Sequence, residues 1–145
     1  MMKDPVILVQ TDTTVGFLSQ NPSMLSKIKA RDPKKPFLKI YQDMKTFKKY
    51  GRIPNAFKHH VRSSSATSYV VKKKAFRITH DPIHRHIVKQ YGWLYSTSAN
   101  ISGQPFNREF AERNADIVIE DKDGLHECPP STIIRLGLKK KEKLR

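Results

Sequence analysis

Residues 93–103 read Trp-Leu-Tyr-Ser-Thr-Ser-Ala-Asn-Ile-Ser-Gly, so a short apolar run leads directly into hydroxyl and amide side chains. The run at 93–95 is typical of a strand, and we predict a loop from Ser96 onward. Ser98 and Asn100 are two residues apart, so they project to the same side if the strand continues extended. A hydroxyl and an amide can then share one ligand. Taken alone, however, this motif favours a simple turn, because Ser, Asn and Gly dominate turns for local reasons.

Three further polar segments lie beside apolar stretches elsewhere in the chain. They are residues 11–16, residues 29–31 with Lys35 and Pro36 behind them, and residues 130–133. Hydroxyls, an amide and fixed cations on such loops suit an anionic ligand that is rich in hydrogen-bond acceptors. A nucleotide is the natural candidate.

The cations of the second segment need a helix end to act together. Lys29 and Arg31 would point about 200° apart on a continuous helix. They converge on one phosphate only if the helix ends between them, which Asp32-Pro33 favours because the residue before proline avoids helical geometry. The alternative is that both merely complement the negative end of the helix, and the sequence does not decide between the two.

The charge of the chain favours polyanionic partners. Its 28 Lys and Arg residues outnumber 13 Asp and Glu residues, for a formal net charge of +15. Such a field attracts tRNA, other RNA, DNA or a nucleotide substrate. Basic clusters at 72–74 and 139–141 add to this expectation.

Length and composition predict one domain. A chain of 145 residues can bury its own core without disulfides or metal. We expect the domain to cover residues 1–137 and a frayed basic tail to cover 138–145. The lone Cys128 cannot form an internal disulfide, which favours the reducing cytoplasm. No run approaches the length of a membrane span, so no membrane partner is expected.

The order of the elements predicts a mixed α/β sheet with flanking helices. Apolar runs predict strands at 6–9, 37–41, 67–71, 76–78, 93–95, 116–119 and 132–134, with the lysines 72–74 in a hairpin turn. Helix starts are predicted at Asn21, Asp43, Asp81 and Asn107, whose side chains are typical N-caps.

Other chemistries have weaker support. There is no G-x-x-x-x-G-K-S/T phosphate loop and no G-x-S-x-G nucleophile elbow. His80, His84 and His86, with His126 and Cys128, invite a metal site. Pro82 interrupts that spacing, so histidines on the surface or against phosphate are favoured over a structural metal.

Taken in order, the polar segments resemble the threonylcarbamoyl-AMP synthase family, the Sua5/YciO/YrdC domain. That family's pattern runs P-T-D/E-T-x-Y-G, K-x-R-P, L-T, a strand arginine, S-A-N-x-S-G and S-T-I/V. The matching segments here are residues 10–16, 29–37, 67–68, 76–78, 98–103 and 131–133. The chain departs from the pattern at Gln10 and Asp32, which replace prolines, and at Val15, which replaces tyrosine.

The resemblance implies a single-domain, YrdC-like α/β fold with a twisted, mixed and largely parallel sheet and a basic concave face. It also implies a reaction in which L-threonine, bicarbonate and ATP give threonylcarbamoyl-AMP and pyrophosphate, for threonylcarbamoyladenosine in tRNA. ATP would be a substrate, with Mg²⁺ accompanying it.

The resemblance also assigns roles by position, although it leaves Asp12 without one. Lys29 and Arg31 would be catalytic and would clamp the phosphates and the carbamate. Substrate binding falls to Thr13, Ser68 and Arg77, and nucleotide binding to Lys29, Arg31, Ser98, Asn100 and Ser131.

Two other functions are compatible with the sequence. One is a non-catalytic module that binds tRNA or double-stranded RNA through the same fold, suggested by the charge of +15. The other is a basic scaffold protein that is a partner in a modification complex, such as the tRNA threonylcarbamoyl-transfer complex.

Overall fold

A computed structural model describes residues 4–145 of the chain. In this part the protein has nine strands, five α-helices and one short 3-10 helix. The strands are β1 (Ile7–Gln10), β2 (Val15–Ser19), β3 (Leu38–Tyr41), β4 (Thr67–Val71), β5 (Lys74–Ile78), β6 (Trp93–Ser98), β7 (Ile117–Ile119), β8 (Thr132–Leu136) and β9 (Lys141–Lys143). The helices are α1 (Pro22–Lys29), α2 (Met44–Phe47), α3 (Lys58–Ser63), α4 (Pro82–Tyr91) and α5 (Arg108–Asn114), and the 3-10 helix is Asn55–Phe57.

The strands described for residues 4–145 form one sheet in the order β7-β1-β2-β6-β3-β5-β4-β8-β9. The predicted single-domain α/β fold, with a mixed sheet and flanking helices, is confirmed. The sheet has fewer parallel pairs than expected: among its eight neighbouring pairs, only β1 with β7, β3 with β5, and β4 with β8 are parallel. Hairpins account for part of the difference, because β1–β2 and β4–β5 are joined by short turns that force antiparallel pairing.

Side-chain caps begin four of the helices at the predicted positions. Asn21, Asp43, Asp81 and Asn107 each accept a hydrogen bond from the backbone N–H three residues later. Each cap satisfies one of the donors that a helix leaves unpaired at its start. The sequence-based helix starts are therefore confirmed.

The helices cover the two faces of the sheet unequally. On one face α2 and α3 pack against Tyr41 and Phe76, and α1 and α5 pack against Phe17. On the other face α4 packs through Ile87 and Val88 against strands β1, β2, β3 and β6. Alternation along the strands brings the side chains of Ser68, Val70, Ala75, Arg77 and Ile133 to this second face. Beside α4, these residues line an open concavity.

Three segments differ from the sequence-based expectation. Val15 and Gly16 were placed in a loop but begin β2, whose five residues are all buried between β1 and β6. Strand β6 runs on through Ser98, whereas a loop was expected from Ser96. The segment 138–145, expected to be a frayed tail, contains β9, which pairs with β8. All three residues of β9 are exposed, so it carries no hydrophobic pattern that could have predicted it.

No helix among residues 4–145 is both long enough and apolar enough to cross a membrane.

The turn between β4 and β5 generates a prediction about stability. Lys72 and Lys73 have φ values of 50° and 67°, which is the left-handed region. Two-residue hairpins of this kind favour glycine, because a Cβ atom is strained there. We expect Lys73→Gly to raise the free energy of unfolding by about 0.5–1 kcal/mol in a urea titration. Lys74→Gly, which removes the same charge but lies within β5, should lower it by about as much.

Candidate functional site

A cavity of about 290 Å³ opens on the second face of the sheet, beside α4. Apolar side chains of Leu38, Val70, Ala75 and Ile133 contribute to its lining. Six of the residues singled out from the sequence also line it: Thr13, Arg31, Ser68, Arg77, Ser98 and Ser131. The structure therefore brings together groups from six separate sequence segments, and the pocket combines hydroxyls and guanidinium groups with an apolar lining.

Lys29 and Asn100 lie behind the lining. The Lys29 ammonium donates hydrogen bonds to the backbone oxygens of Ser98 (3.0 Å) and Asn100 (2.5 Å), and to Asn100 Oδ1 (3.2 Å). Only 7% of Lys29 is exposed. Burial, and next the charge of Arg31, lower its pKa from 10.5 to about 8. A lysine at the end of α1 thus joins the loop after β6.

The loop after β6 also uses Asn100 as a turn residue. Its amide nitrogen donates to the backbone oxygens of Ile101 (3.0 Å) and Gln104 (2.8 Å). Its amide oxygen accepts from Lys29. The sequence left open whether this motif forms a turn or contributes to a ligand site. It does both, because Asn100 stabilises the turn while Ser98, two residues earlier, lines the cavity.

The helix ends between Lys29 and Arg31, as the sequence predicted. Ala30 adopts the left-handed conformation (φ 49°, ψ 46°) and closes α1. The guanidinium of Arg31 then lies 4.4 Å from the centre of the Phe37 ring and donates to the Pro36 backbone oxygen at 3.3 Å. This stacking fixes a cation at the rim of the cavity.

Arg77 is the buried cation of the site, and Asp12 is its partner. Arg77 Nε lies 3.2 Å from Asp12 Oδ1, and the side chains are only 4% and 9% exposed. Burial raises the pKa of Asp12, but the contact with His84 and the charge of Arg77 outweigh it, so the net pKa lies below the usual value. Sequence reasoning found no role for Asp12, because its partner lies 65 residues away in the chain.

A second residue missed from the sequence is Arg145. Because β9 pairs with β8, the chain returns to the cavity after β9. There Arg145 donates to the backbone oxygen (2.9 Å) and the hydroxyl (3.2 Å) of Ser131. The Ser131 hydroxyl in turn lies 2.7 Å from that of Ser68, which accepts from Arg77 at 3.3 Å. Arg145 lines the cavity, so three guanidinium groups face it.

The histidines do not assemble as a metal site. His84, for which an exposed position was favoured, is fully buried, where it forms a hydrogen bond with Thr79 and contacts Asp12; that expectation was wrong. His80 and His86 are exposed. Within residues 4–145 no group of three or more His, Cys, Asp or Glu side chains is placed to hold a metal ion.

Comparison with known proteins gives one family. The family described as "Sua5_yciO_yrdC: Telomere recombination" matches residues 1–145. A curated relative, the uncharacterized protein MG259 homolog of Mycoplasma pneumoniae, is 28% identical over 121 residues. That alignment covers 77% of this chain but 24% of the relative, so the chain spans about a quarter of the relative's length.

Solved structures share the fold at low sequence identity. P. abyssi Sua5 complexed with L-threonine superposes with a TM-score of 0.81 at 17% identity, over 97% of this chain and 50% of that one. E. coli YciO superposes with a TM-score of 0.75 at 18% identity, over 98% of this chain and 82% of that one. The MTH1692 protein of Methanobacterium thermoautotrophicum superposes with a TM-score of 0.73 at 22% identity, over 97% of this chain and 79% of that one.

The buried ammonium predicts a pH dependence of stability. The unfolded chain keeps the Lys29 proton up to a pKa near 10.5, whereas the folded chain releases it near 8. Between these values the unfolded state binds more protons, so the contribution of this group to stability rises with pH. We expect the difference in free energy of unfolding between the natural protein and Lys29→Met to shift in favour of the natural protein between pH 7.5 and 10. Urea titrations measure it, and a difference that does not change with pH would contradict the assignment.

Proposed function

Because the chain belongs to the Sua5/YciO/YrdC family, we propose that it is an L-threonylcarbamoyladenylate synthase. It forms threonylcarbamoyl-AMP and pyrophosphate from L-threonine, bicarbonate and ATP, for threonylcarbamoyladenosine in tRNA. The observation that carries the proposal is the convergence of Thr13, Arg31, Ser68, Arg77, Ser98 and Ser131 on one cavity.

The proposed chemistry needs little covalent work from the protein. The threonine amine takes up bicarbonate to form a carbamate, with loss of water. A carbamate oxygen then attacks the α-phosphorus of ATP, and the bond to the bridging oxygen breaks to release pyrophosphate. Positioning the two substrates and neutralising phosphate charge lower the barrier.

Each side chain has a role that suits this chemistry. Arg31, stacked on Phe37, and the Lys29 ammonium behind Ser98 place positive charge where phosphates and the carbamate would lie. Ser98, Asn100 and Ser131 are assigned to the nucleotide. Arg77 binds the carboxylate of threonine, with Thr13 and Ser68 beside it. The L-threonine complex of P. abyssi Sua5 supports threonine as a ligand for this fold.

Magnesium is expected to enter with ATP, as part of the substrate. The residues around the cavity do not form a resident site for it, because Asp12 is already paired with Arg77. No step is therefore assigned to the ion. The cytoplasm, and the proteins of a tRNA threonylcarbamoyl-transfer complex that would use the product, are part of the same proposal.

Release of pyrophosphate tests the synthase. We expect it to require ATP, L-threonine and bicarbonate together. Arg31→Ala should lower kcat/KM by about 100-fold, because a cation that faces developing phosphate charge contributes several kcal/mol in the transition state. Arg113→Ala, which removes an equal charge from the exposed end of α5, should leave the rate within about two-fold. If the folded natural protein releases no pyrophosphate, the proposal fails.

The net charge of +15 supports a second candidate, a module that binds tRNA or double-stranded RNA without catalysis. In that case the logarithm of affinity should fall linearly with the logarithm of salt concentration. Arg31→Ala and Arg113→Ala should then weaken binding equally and slightly, since each is one phosphate contact among many. Filter binding or fluorescence anisotropy between 50 and 300 mM salt (about the range in which such slopes are measured) decides it. Weak binding that salt does not affect would exclude this candidate.

A further inference from the structure

Beside the cavity lies a buried polar cluster of which the proposed chemistry uses only one member, Arg77. It consists of Asp12 from the β1–β2 turn, Arg77 from β5, Thr79 directly after β5, and His84 in the first turn of α4. His84 Nδ1 lies 3.4 Å from Asp12 Oδ1 and 3.1 Å from Thr79 Oγ1. All four residues are buried or nearly so, and His84 and Thr79 are 0% exposed.

Burial makes this cluster sensitive to the loss of any member. Removing one charge of a buried ion pair leaves the other charge without its partner in a medium of low dielectric. Neither carboxylate oxygen of Asp12, nor Nε of Arg77, has an ordinary hydrogen-bond partner within residues 4–145. The ion pair with Arg77 and the contact with His84 are thus what hold the Asp12 carboxylate in place.

The position of His84 is itself fixed. Its backbone N–H donates to Asp81, the cap of α4, at 2.9 Å. Later in the same helix, Ile87 and Val88 are packed in the core. The imidazole is therefore presented to Asp12 from a rigid element, unlike a side chain on a loop.

The guanidinium of Arg77 is held at two of its three nitrogens. Nε faces Asp12, and Nη1 donates to the Ser68 hydroxyl at 3.3 Å. Within the described part of the chain, Nη2 makes no hydrogen bond, and Arg77 lines the cavity. Because the guanidinium is planar, the contact at Nε fixes its orientation. The N–H groups of Nη2 then remain available to bind a carboxylate.

We propose that Asp12 and His84 are positioning residues, which hold the guanidinium of Arg77 so that its Nη2 edge binds the carboxylate of an amino-acid ligand. The inference rests on the proposed function for the identity of that ligand. It gives a role to the acidic residue of the segment 11–16, for which the sequence offered none, and it adds His84 to the site.

The first experiment needs no ligand, so it is independent of the proposed function. In a ¹⁵N–¹H spectrum, the Nε–H of Arg77 should exchange slowly with water, and Arg77→Lys identifies its signal. We expect Asp12→Asn to abolish this protection, and Asp123→Asn, which alters an exposed carboxylate, to leave it unchanged. Rapid exchange in the natural protein, or protection that survives Asp12→Asn, overturns the proposal.

The second experiment compares L-threonine with L-threoninol, in which a hydroxymethyl group replaces the carboxylate. Calorimetry should show that Asp12→Asn and His84→Phe each weaken threonine binding by about 10-fold or more and change threoninol binding by less than about two-fold. His84→Asn should recover part of the loss, because its amide nitrogen can take the place of Nδ1. Equal weakening of both ligands would show a merely structural role and overturn the proposal.

Together the two experiments distinguish failure of the positioning role from failure of the proposed function. If the natural protein does not bind threonine, the proposed function fails, and the exchange of the Arg77 Nε–H alone decides whether Asp12 positions the guanidinium. If threonine binds, and the preference over threoninol survives in both Asp12→Asn and His84→Phe, the positioning role fails while the proposed function stands.

Discussion

The buried ammonium of Lys29 is the interaction on which the site depends. It joins the end of α1 to the loop after β6, which lies 69 residues further along the chain. The ammonium of a lysine that is only 7% exposed must find acceptors inside the protein, and the backbone oxygens of Ser98 and Asn100 supply them. Without the lysine these oxygens would lose their partner, at a cost of about 1–3 kcal/mol. The contact therefore fixes the relative positions of two motifs that the sequence could only propose to be neighbours.

Three arginines concentrate positive charge around the cavity, and each is held there by a different interaction. Arg31 is stacked on an aromatic ring, Arg77 is buried against a single carboxylate, and Arg145 is brought in by β9. Asp12 neutralises the charge of Arg77 alone, so the cavity keeps an excess of positive charge. Such an arrangement is suited to a ligand with several anionic groups, because an apolar and partly enclosed site strengthens each interaction.

Local features of the fold were predictable because they depend on neighbouring residues alone. Each of the four helix caps follows from a side chain that accepts a hydrogen bond from the backbone three residues later. The lysine hairpin follows from a two-residue turn between β4 and β5. Strand β2 was missed because Thr13 and Thr14 before it are typical of a loop, and because its burial between β1 and β6 is a tertiary property. Strand β9 was missed since an exposed run of Lys and Glu carries no periodic apolar signal.

The sequence by itself determined the family and the residue types of the site, since short motifs require particular side chains at particular spacings. It also determined that α1 ends between Lys29 and Arg31, because Asp32-Pro33 disfavours helical geometry there. Only the tertiary structure decided that Asp12 pairs with Arg77, that His84 is buried beside them, and that Arg145 reaches Ser131. These contacts join residues from different strands, helices and turns. Their existence depends on the order of strands in the sheet, which no local pattern of the sequence specifies.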